Sequence, residues 1–254
     1  MQKLWIWKEM AIYIGPSFST KRHSHFFIQL CLGNKEEFRL KGSDGNWYSY
    51  KAALIPSGVS HETEMNDRDF VLILLDPITM GTGLFADRNL TPGKPAIEVG
   101  DVFDWEKIRF FFEASDVPPE NLKAEIAKRI FENGTGKSIT PKDIRIIRSM
   151  KSLSDSEDTL TLQEVAKEAG LSPSRFRHLF RKETGITFSG YRLWIKTRRA
   201  ILSLGNHPEL IHAAYQGGFA DQAHFSRIFR RSFGMSPSEF VKGKALQTFR
   251  IFPT

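Results

Sequence analysis

The sequence repeats itself once in its C-terminal part, at an offset of 49 residues. Residues 176–191 read FRHLFRKETGITFSGY and residues 225–240 read FSRIFRRSFGMSPSEF, so phenylalanines, a basic pair and a glycine recur in the same order. Self-similarity at a fixed offset indicates that one structural unit occurs twice. Any fold for this chain must therefore accommodate two copies of the same small unit.

Each copy follows a short helical segment and a glycine turn. Residues 162–169 precede Gly170 in the first copy, and residues 210–216 precede Gly217 and Gly218 in the second. A helix, a tight turn and a second helix make up the helix-turn-helix arrangement, whose second helix enters the DNA major groove. The sequence therefore predicts two helix-turn-helix units, over residues 161–184 and 209–233.

Capping signals predict that the whole C-terminal part is helical. Thr161 with Glu164 and Ser236 with Glu239 fit the capping box, and Ser172 precedes a proline at the first position of a helix. A helix over residues 188–204 would connect the two units. The stretch 132–136, ENGTG, ends the preceding helical pattern and sets the predicted boundary between domains 1–135 and 136–254.

Helical geometry divides each second helix into an apolar face and a polar, basic face. At about 100° per residue, the phenylalanines fall on the apolar side. Arginine and glutamine suit bidentate contacts with guanine and adenine, so we predict that the polar faces contact DNA. One such residue could equally lie on an ordinary solvated face, but two matching faces favour DNA. The predicted DNA-binding residues are Ser174, Arg175, Arg177, His178, Arg181, Lys182, Gln222, His224, Ser226, Arg227, Arg230 and Arg231.

Charge is unevenly divided along the chain. Residues 141–254 hold 19 Lys and Arg against 10 Asp and Glu, a net charge of +9. The remaining 17 basic and 19 acidic residues give −2, which together make the +7 of the whole chain. A basic C-terminal part predicts a polyanionic partner, in agreement with the helix-turn-helix units.

The first 100 residues have the pattern of β structure. Apolar and aromatic runs at 26–32, 47–55 and 70–75 are separated by turn-forming residues at 42–46 and 56–58. This rhythm predicts a β-sandwich or a small barrel. Leu122, Ile126 and Ile130 then recur every four residues, which predicts a helix that packs on this β structure or pairs between subunits.

The C-terminal part resembles the AraC/XylS family of transcription regulators. The resemblance covers roughly residues 141–241 and is carried by GLSPSRFRHLFRKETG at 170–185, GFADQAHFSRIFRRSFG at 218–234, and the following SPSEF. It implies that one chain places two recognition helices in successive major grooves, and that the front domain binds an effector or mediates dimerisation. RNA polymerase is a further partner implied by the family. The base-reading positions that it implies are Ser174, Arg177, His178, Gln222, Ser226 and Arg227.

Two histidine motifs in the front part resemble those of cupins. His23 and His25, with Gln29 four residues on, are followed by PSGVSH, which ends at His61. The resemblance implies a β-barrel in which these four residues hold a divalent metal. Gln29 stands where metal-binding cupins usually have glutamate, and an amide is a weaker ligand. The prediction is therefore no cofactor, with a metal at His23, His25, Gln29 and His61 as the alternative to histidines that line a pocket.

Composition excludes several classes of protein. The single cysteine, Cys31, excludes internal disulfides and is interpreted as a small buried hydrophobe. The longest apolar run is too short to cross a bilayer, and the N-terminus has no signal-peptide pattern. We therefore expect no membrane association and a cytoplasmic protein.

These observations predict an α+β protein of two domains. An N-terminal cupin-like β-barrel followed by helices precedes a C-terminal all-α domain, in which a linker helix joins two helix-turn-helix units. The predicted function is a sequence-specific DNA-binding transcription regulator, responsive to a small-molecule effector and without catalytic activity. The alternatives are a metal-dependent cupin enzyme fused to a DNA-binding module and an architectural DNA binder.

Overall fold

A computed structural model of the chain describes residues 3–7, 9–33, 36–65, 69–77, 90–99, 143–156, 160–242 and 249–251, together with Phe110 and Leu122. The N-terminal part consists of strands and the C-terminal part chiefly of helices, which makes this a two-domain α+β protein. The chain divides into two compact units, one of Met1–Ser138 with Phe229–Thr254 and one of Ile139–Ile228.

The described strands form two sheets. The strands are β1 (Lys3–Ile6), β2 (Met10–Pro16), β3 (Thr20–His23), β4 (Ile28–Gly33), β5 (Phe38–Lys41), β6 (Trp47–Tyr50), β7 (Ala52–Ile55), β8 (His61–Glu64), β9 (Asp69–Leu75), β10 (Ile97–Glu98) and β11 (Phe249–Ile251). Seven of them form a large sheet in the order β10-β7-β4-β9-β2-β1-β11. The other four form a small sheet in the order β3-β8-β5-β6.

The large sheet buries both of its faces, as β4 illustrates. Ile28 and Leu30 point to one side and join a core that includes Leu122. Cys31 points to the other side and packs with Leu40 of the small sheet. This alternation is the two-residue period of a strand. The described strands therefore make two open sheets that pack on each other, and the predicted closed barrel is not confirmed.

The apolar run at 47–55 is divided between the two sheets. Both halves of the run are strands, as predicted, but β6 lies in the small sheet and β7 in the large one, with Lys51 between them. Tyr50 of β6 and Ile55 of β7 pack in the same buried core, so the run is apolar where either strand faces that core. Leu122 packs on the large sheet as predicted, whereas Ile126 and Ile130 lie outside the described residues.

The described helices are α1 (Ile144–Asp155), α2 (Leu162–Glu168), α3 (Pro173–Thr184), α4 (Phe188–Asn206), α5 (Leu210–Gln216), α6 (Gln222–Phe233) and α7 (Pro237–Lys242). None of the helices in these ranges is long and apolar enough to span a membrane. Their starts follow the predicted signals, since Thr161 and Glu164 form a complete capping box and the Ser172 hydroxyl accepts from the amide of Arg175.

The expectation of a wholly helical C-terminal part is wrong at its end. Phe249–Ile251 forms β11, which pairs in parallel with β1 and places Phe249 opposite Leu4. The edge of β1 offers backbone groups that need hydrogen-bond partners, and the backbone of a short strand can supply them. The large sheet therefore includes residues from both ends of the chain.

Candidate DNA interface and histidine cluster

The two helix-turn-helix units have the same turn geometry. In the first, Leu171 N donates to Ala166 O at 2.9 Å, and Gly170 has a φ of 65°. In the second, Phe219 N donates to Ala214 O, also at 2.9 Å. Gly218 occupies the same turn position with a φ of 69°. Only glycine adopts this left-handed conformation at no steric cost, which is why both turns contain it.

The inward faces of α3 and α6 are aromatic, as predicted. Phe176 and Phe180 are fully buried in α3, and Phe225 is fully buried in α6. The rings of Phe176 and Phe180 lie 5.5 and 5.7 Å from Phe188, where α4 begins. These contacts join the first recognition helix to the connecting helix, so the direction of α3 depends on aromatic packing.

The outward faces of α3 and α6 carry the predicted DNA-binding residues. Those that are exposed are Ser174, Arg175, Arg177, His178, Arg181, Lys182, Gln222, Arg227, Arg230 and Arg231. Two are half-buried: Ser226, and His224, whose ring meets Phe219 edge-on at 5.4 Å. The His224 ring therefore packs in part against the protein, whereas the arginine side chains are exposed to solvent.

Helix α4 holds the second helix-turn-helix unit through contacts that the sequence analysis did not identify. Lys196 Nζ donates to Gly218 O at 2.6 Å. A Cβ on Gly217 would lie 2.8 Å from Lys196 O and 2.9 Å from Ala200 Cβ, so only glycine fits there without displacement. The glycine pair at 217–218 is the sequence feature that indicates this contact. Gly218 provides the turn, and Gly217 allows the close approach to α4.

Helix α1 is fixed at both ends. Asp143 caps its start by accepting from the backbone and guanidinium of Arg145, which lowers the pKa of Asp143 to about 2. The Asp143 amide also donates to Glu183 of α3 at 3.1 Å. At the other end, the Arg199 guanidinium of α4 donates to Leu153 O at 3.2 Å. Helix α1 is thus tied to both the first recognition helix and the connecting helix.

The histidines of the two cupin-like motifs meet in the N-terminal part. His23 ends β3 and lies directly opposite His61 of β8 in the antiparallel register. His25 lies beyond the end of β3 rather than on the strand, but its ring still faces the other two. Ring centroids are 4.2 Å apart for His23 and His61, 5.6 Å for His23 and His25, and 5.2 Å for His25 and His61. All three side chains are buried.

Each of these histidines directs its Nδ1 atom at a backbone carbonyl. The pairs are His23 with Lys21 O at 2.8 Å, His25 with Phe27 O at 3.1 Å, and His61 with Val59 O at 3.0 Å. A carbonyl oxygen only accepts, so in His23 and His61 the proton of the neutral ring lies on Nδ1 and the lone pair on Nε2. His25 differs, because its Nε2 also faces an acceptor oxygen. His61 Nε2 is buried and has no hydrogen-bond partner in the described part of the chain.

Burial keeps the cluster neutral. It lowers the pKa of His23 to about 4 and that of His61 well below its usual range, and the neighbouring imidazoles lower both further. Burial also lowers the pKa of His25. The Gln29 amide lies beside the cluster, with Oε1 2.8 Å from His25 Nε2. Its nitrogen faces Cys31, whose buried thiol has a pKa raised to about 12 and so stays protonated.

Similarity to known proteins is strongest in the C-terminal part. A family model described as a helix-turn-helix domain matches residues 165–243. The arabinose operon regulatory protein of Escherichia coli is 33% identical over 127 residues, covering 48% of this chain and 43% of that protein. The transcriptional regulator RipA of Corynebacterium glutamicum is 28% identical over 162 residues, covering 63% and 48%. The chain thus aligns with less than half the length of each relative.

Similarity in structure extends over nearly the whole chain. An apo ToxT variant from Vibrio cholerae matches with a TM-score of 0.60 and 13% identity, covering 92% of this chain and 97% of that one. ToxT bound to (E)-4-(8-methylnaphthalen-1-yl)but-3-enoic acid matches with the same TM-score and identity, covering 92% and 98%. At this identity the likeness shows a shared fold.

Proposed function

We propose that this chain is a transcription regulator of the AraC/XylS family, and that it binds specific DNA sequences through both helix-turn-helix units. The observation that carries the proposal is the repeated geometry. Two glycine turns with matching hydrogen bonds precede two helices whose exposed faces are basic. A single basic face could be ordinary solvated surface, but two related faces on one connecting helix suit a double-stranded polyanion.

The length of α4 supports binding to two successive grooves. This helix has 19 residues, which corresponds to about 28 Å at the usual rise. Major-groove faces one turn of DNA apart are separated by ~34 Å. Helix α3 precedes α4 in the sequence and α6 follows it. One chain therefore carries two recognition helices at a spacing that suits two successive major grooves. A homodimer would pair two such bipartite sites.

We assign the two kinds of DNA contact by position on the recognition helices. Base edges would be read by the N-terminal and middle parts of each outward face, at Ser174, Arg177, His178, Gln222, Ser226 and Arg227. The basic last turns would contact phosphates, through Arg181 and Lys182 in α3 and through Arg230 and Arg231 in α6. Phosphate contacts position the protein, and base contacts provide specificity.

The second unit should provide more of the specificity. The repeat places His178 where the second unit has Arg227. Arginine can donate two hydrogen bonds to one guanine, whereas an imidazole cannot make that bidentate contact. The half of the operator that is read by α6 is therefore expected to be the better defined one.

We further propose that the N-terminal domain responds to a small effector. A ToxT structure with the shared fold is described as bound to an unsaturated fatty acid. The stacked sheets of this chain supply the same kind of domain, and the buried polar side chains between them supply groups that could orient a ligand. The regulator would act on transcription together with RNA polymerase. We propose the cytoplasm as its location, because its DNA target lies there.

The alternatives give different expectations. A metal-dependent enzyme fused to a DNA-binding module would use the histidine cluster as a reaction centre, yet the named relatives are regulators. An architectural DNA binder would need the helices but not the N-terminal sheets, and it would show no preferred sequence. A regulator needs both parts of the chain. We therefore favour a regulator that is not an enzyme.

Selection of bound sequences from random DNA tests the proposal. The full chain should enrich a bipartite motif whose two halves are separated by about 10 base pairs, the repeat of the double helix. The Arg227→Ala variant should retain the half read by α3 and lose definition in the other. Enrichment of no motif by the full chain, with salt-dependent binding to all sequences alike, would contradict sequence-specific regulation and favour the architectural alternative.

A further inference from the structure

We propose that His23, His25 and His61 form a binding site for one divalent transition-metal ion. The proposal concerns the N-terminal sheets alone and does not depend on the proposed DNA binding. One ring nitrogen from each histidine lies within 4.8 Å of the others, and all three side chains are buried. The residues come from β3, from the segment that follows it, and from β8, so the fold brings together ligands that are distant in sequence.

The orientation of the rings is the main support for a metal. Each Nδ1 faces a carbonyl within its own local segment, at Lys21, Phe27 and Val59. In His23 and His61 this bond fixes the tautomer so that the lone pair is on Nε2, whereas His25 Nε2 also faces the amide oxygen of Gln29. Histidines that ligate metals characteristically donate their other ring N–H to a backbone carbonyl or carboxylate in this way. All three rings of the cluster direct Nδ1 at a backbone carbonyl.

The alternative, that the three histidines only fill the core, leaves a polar atom unexplained. His61 Nε2 is buried and lacks a hydrogen-bond partner in the described ranges. Buried polar atoms in folded proteins nearly always have a partner. An ion between the rings would be a partner for His61 Nε2 and also for the lone pair of His23. A metal therefore accounts for both the unpaired atom and the uniform ring orientation.

The chemistry of the ligands defines the class of ion. Imidazole nitrogen suits zinc, copper, nickel and iron, whereas calcium and magnesium prefer oxygen. A tetrahedral ion with Zn–N bonds of about 2.0–2.1 Å has its nitrogens about 3.3 Å apart, so the cluster must contract slightly on binding. Cys31 is not in the cluster, and its thiol stays protonated. The fourth position falls to the Gln29 amide oxygen or to water.

Gln29 sets the strength of the site. Its Oε1 lies 2.8 Å from His25 Nε2, a hydrogen bond in which Nε2 donates its proton. For an ion to bind His25 at Nε2, this proton must leave or move to Nδ1, and the amide must rotate or shift. A neutral amide also leaves the full charge of the ion unbalanced. Gln29→Glu would place a carboxylate at the same position, and this change should tighten metal binding.

Cobalt titration of the full chain tests the site, because four-coordinate Co²⁺ has strong visible absorption bands. The protein is prepared without a histidine tag and stripped with EDTA. Wild type should bind one Co²⁺ per chain with such bands, Zn²⁺ should displace it, and Ca²⁺ should not. His61→Ala should weaken Co²⁺ binding ~100-fold. His207→Ala is the matched control, since His207 pairs with His212 at 4.8 Å, outside the cluster, and should leave binding unchanged.

Gln29→Glu provides a second arm in which binding increases. Its affinity for Co²⁺ should rise ~10-fold, and Zn²⁺ should raise its Tm more than that of wild type. The proposal is overturned if wild type binds no Co²⁺ beyond the amount bound by His61→Ala, or if His207→Ala loses binding equally. Circular dichroism of each metal-free variant establishes that it is folded. DNA binding measured in EDTA separates failure of the metal site from failure of the regulatory function.

Discussion

Gly185 and Gly234 end the two recognition helices with the same backbone geometry but in different surroundings. Their φ angles are 77° and 69°, and the amide of each donates at 2.9 Å to the carbonyl four residues earlier. A Cβ on Gly185 would meet nothing within 4 Å. A Cβ on Gly234 would collide with Lys21 O and would lie 2.7 Å from His23 Nδ1. The second glycine therefore provides close packing as well as a turn.

This difference predicts unequal costs for the same substitution. Gly185→Ala should destabilise the protein by about 1–2 kcal/mol, because an L-residue is strained in the left-handed conformation. Gly234→Ala carries the same strain and in addition displaces β3, so its loss should be larger by about 1–3 kcal/mol. Urea unfolding of the two variants measures both values. Equal losses would mean that the contact between Gly234 and β3 is not present in solution.

The second prediction concerns DNA recognition by exposed arginine and lysine. Arg227→Ala should cost ~1–3 kcal/mol at the selected operator and broaden the base preference at one position. Lys182→Ala should weaken binding to all sequences by similar factors, because Lys182 lies in the basic last turn of α3. Removing this phosphate contact should reduce the slope of log K against log salt by about 0.9. Fluorescence anisotropy with operator and scrambled duplexes at several salt concentrations distinguishes the two effects.

An Arg227→Ala variant that weakened operator and scrambled DNA by the same factor would remove this residue from the base-reading set. His178→Ala is the matched comparison, because His178 occupies the corresponding place in the first unit. Its effect on base preference should be smaller than that of Arg227→Ala, since an imidazole makes fewer simultaneous contacts with a base.

Local signals explain why the helical part could be predicted in detail. Caps, turn glycines and apolar spacing act within a few residues, so Thr161, Ser172 and Gly218 identified their elements directly. The strands were harder to predict because sheet membership depends on distant partners. The run at 47–55 reads as one apolar segment although Lys51 separates two sheets. Nothing local in Phe249–Ile251 indicates that it pairs with β1.

The histidine cluster was predictable as a set but not in its geometry. The cupin-like motif groups His23 with His25, but it does not show that β3 ends at His23 and that His25 reaches the cluster from the following segment. The carbonyl partners of the three Nδ1 atoms depend on backbone conformation, which the sequence motif does not specify. The absence of a carboxylate at Gln29 was visible in the sequence and stays the feature that weakens the proposed metal site.

The third prediction concerns the capping box that begins α2. Thr161 Oγ1 accepts from Glu164 N at 3.3 Å, and Glu164 Oε2 accepts from Thr161 N at 2.6 Å. Thr161→Ala should lower the free energy of unfolding by about 1 kcal/mol, because one helix amide loses its side-chain acceptor. Thr161→Ser keeps the hydroxyl and should be nearly neutral. Chemical unfolding of both variants decides the matter, and equal losses would assign the effect to the threonine methyl group.

The final prediction is that the metal-free protein loses stability in mild acid because of the histidine cluster. The pKa of His23 is about 4 in the folded chain and 6.5 in the unfolded chain. Above pH 6.5 both states are neutral at this residue and its full contribution is present. As the pH falls from 6.5 towards 4, the unfolded chain takes up a proton first, so stability is lost. At pH 5, His23 alone should lower the free energy of unfolding by ~2 kcal/mol, and His25 and His61 act in the same direction.

Urea unfolding in EDTA at pH 7.5 and 5 measures this loss. His23→Gln should reduce the difference, whereas His207→Ala should leave it as in wild type. A metal-free protein that is equally stable at both pH values would show that the three imidazoles are not held neutral in a buried cluster.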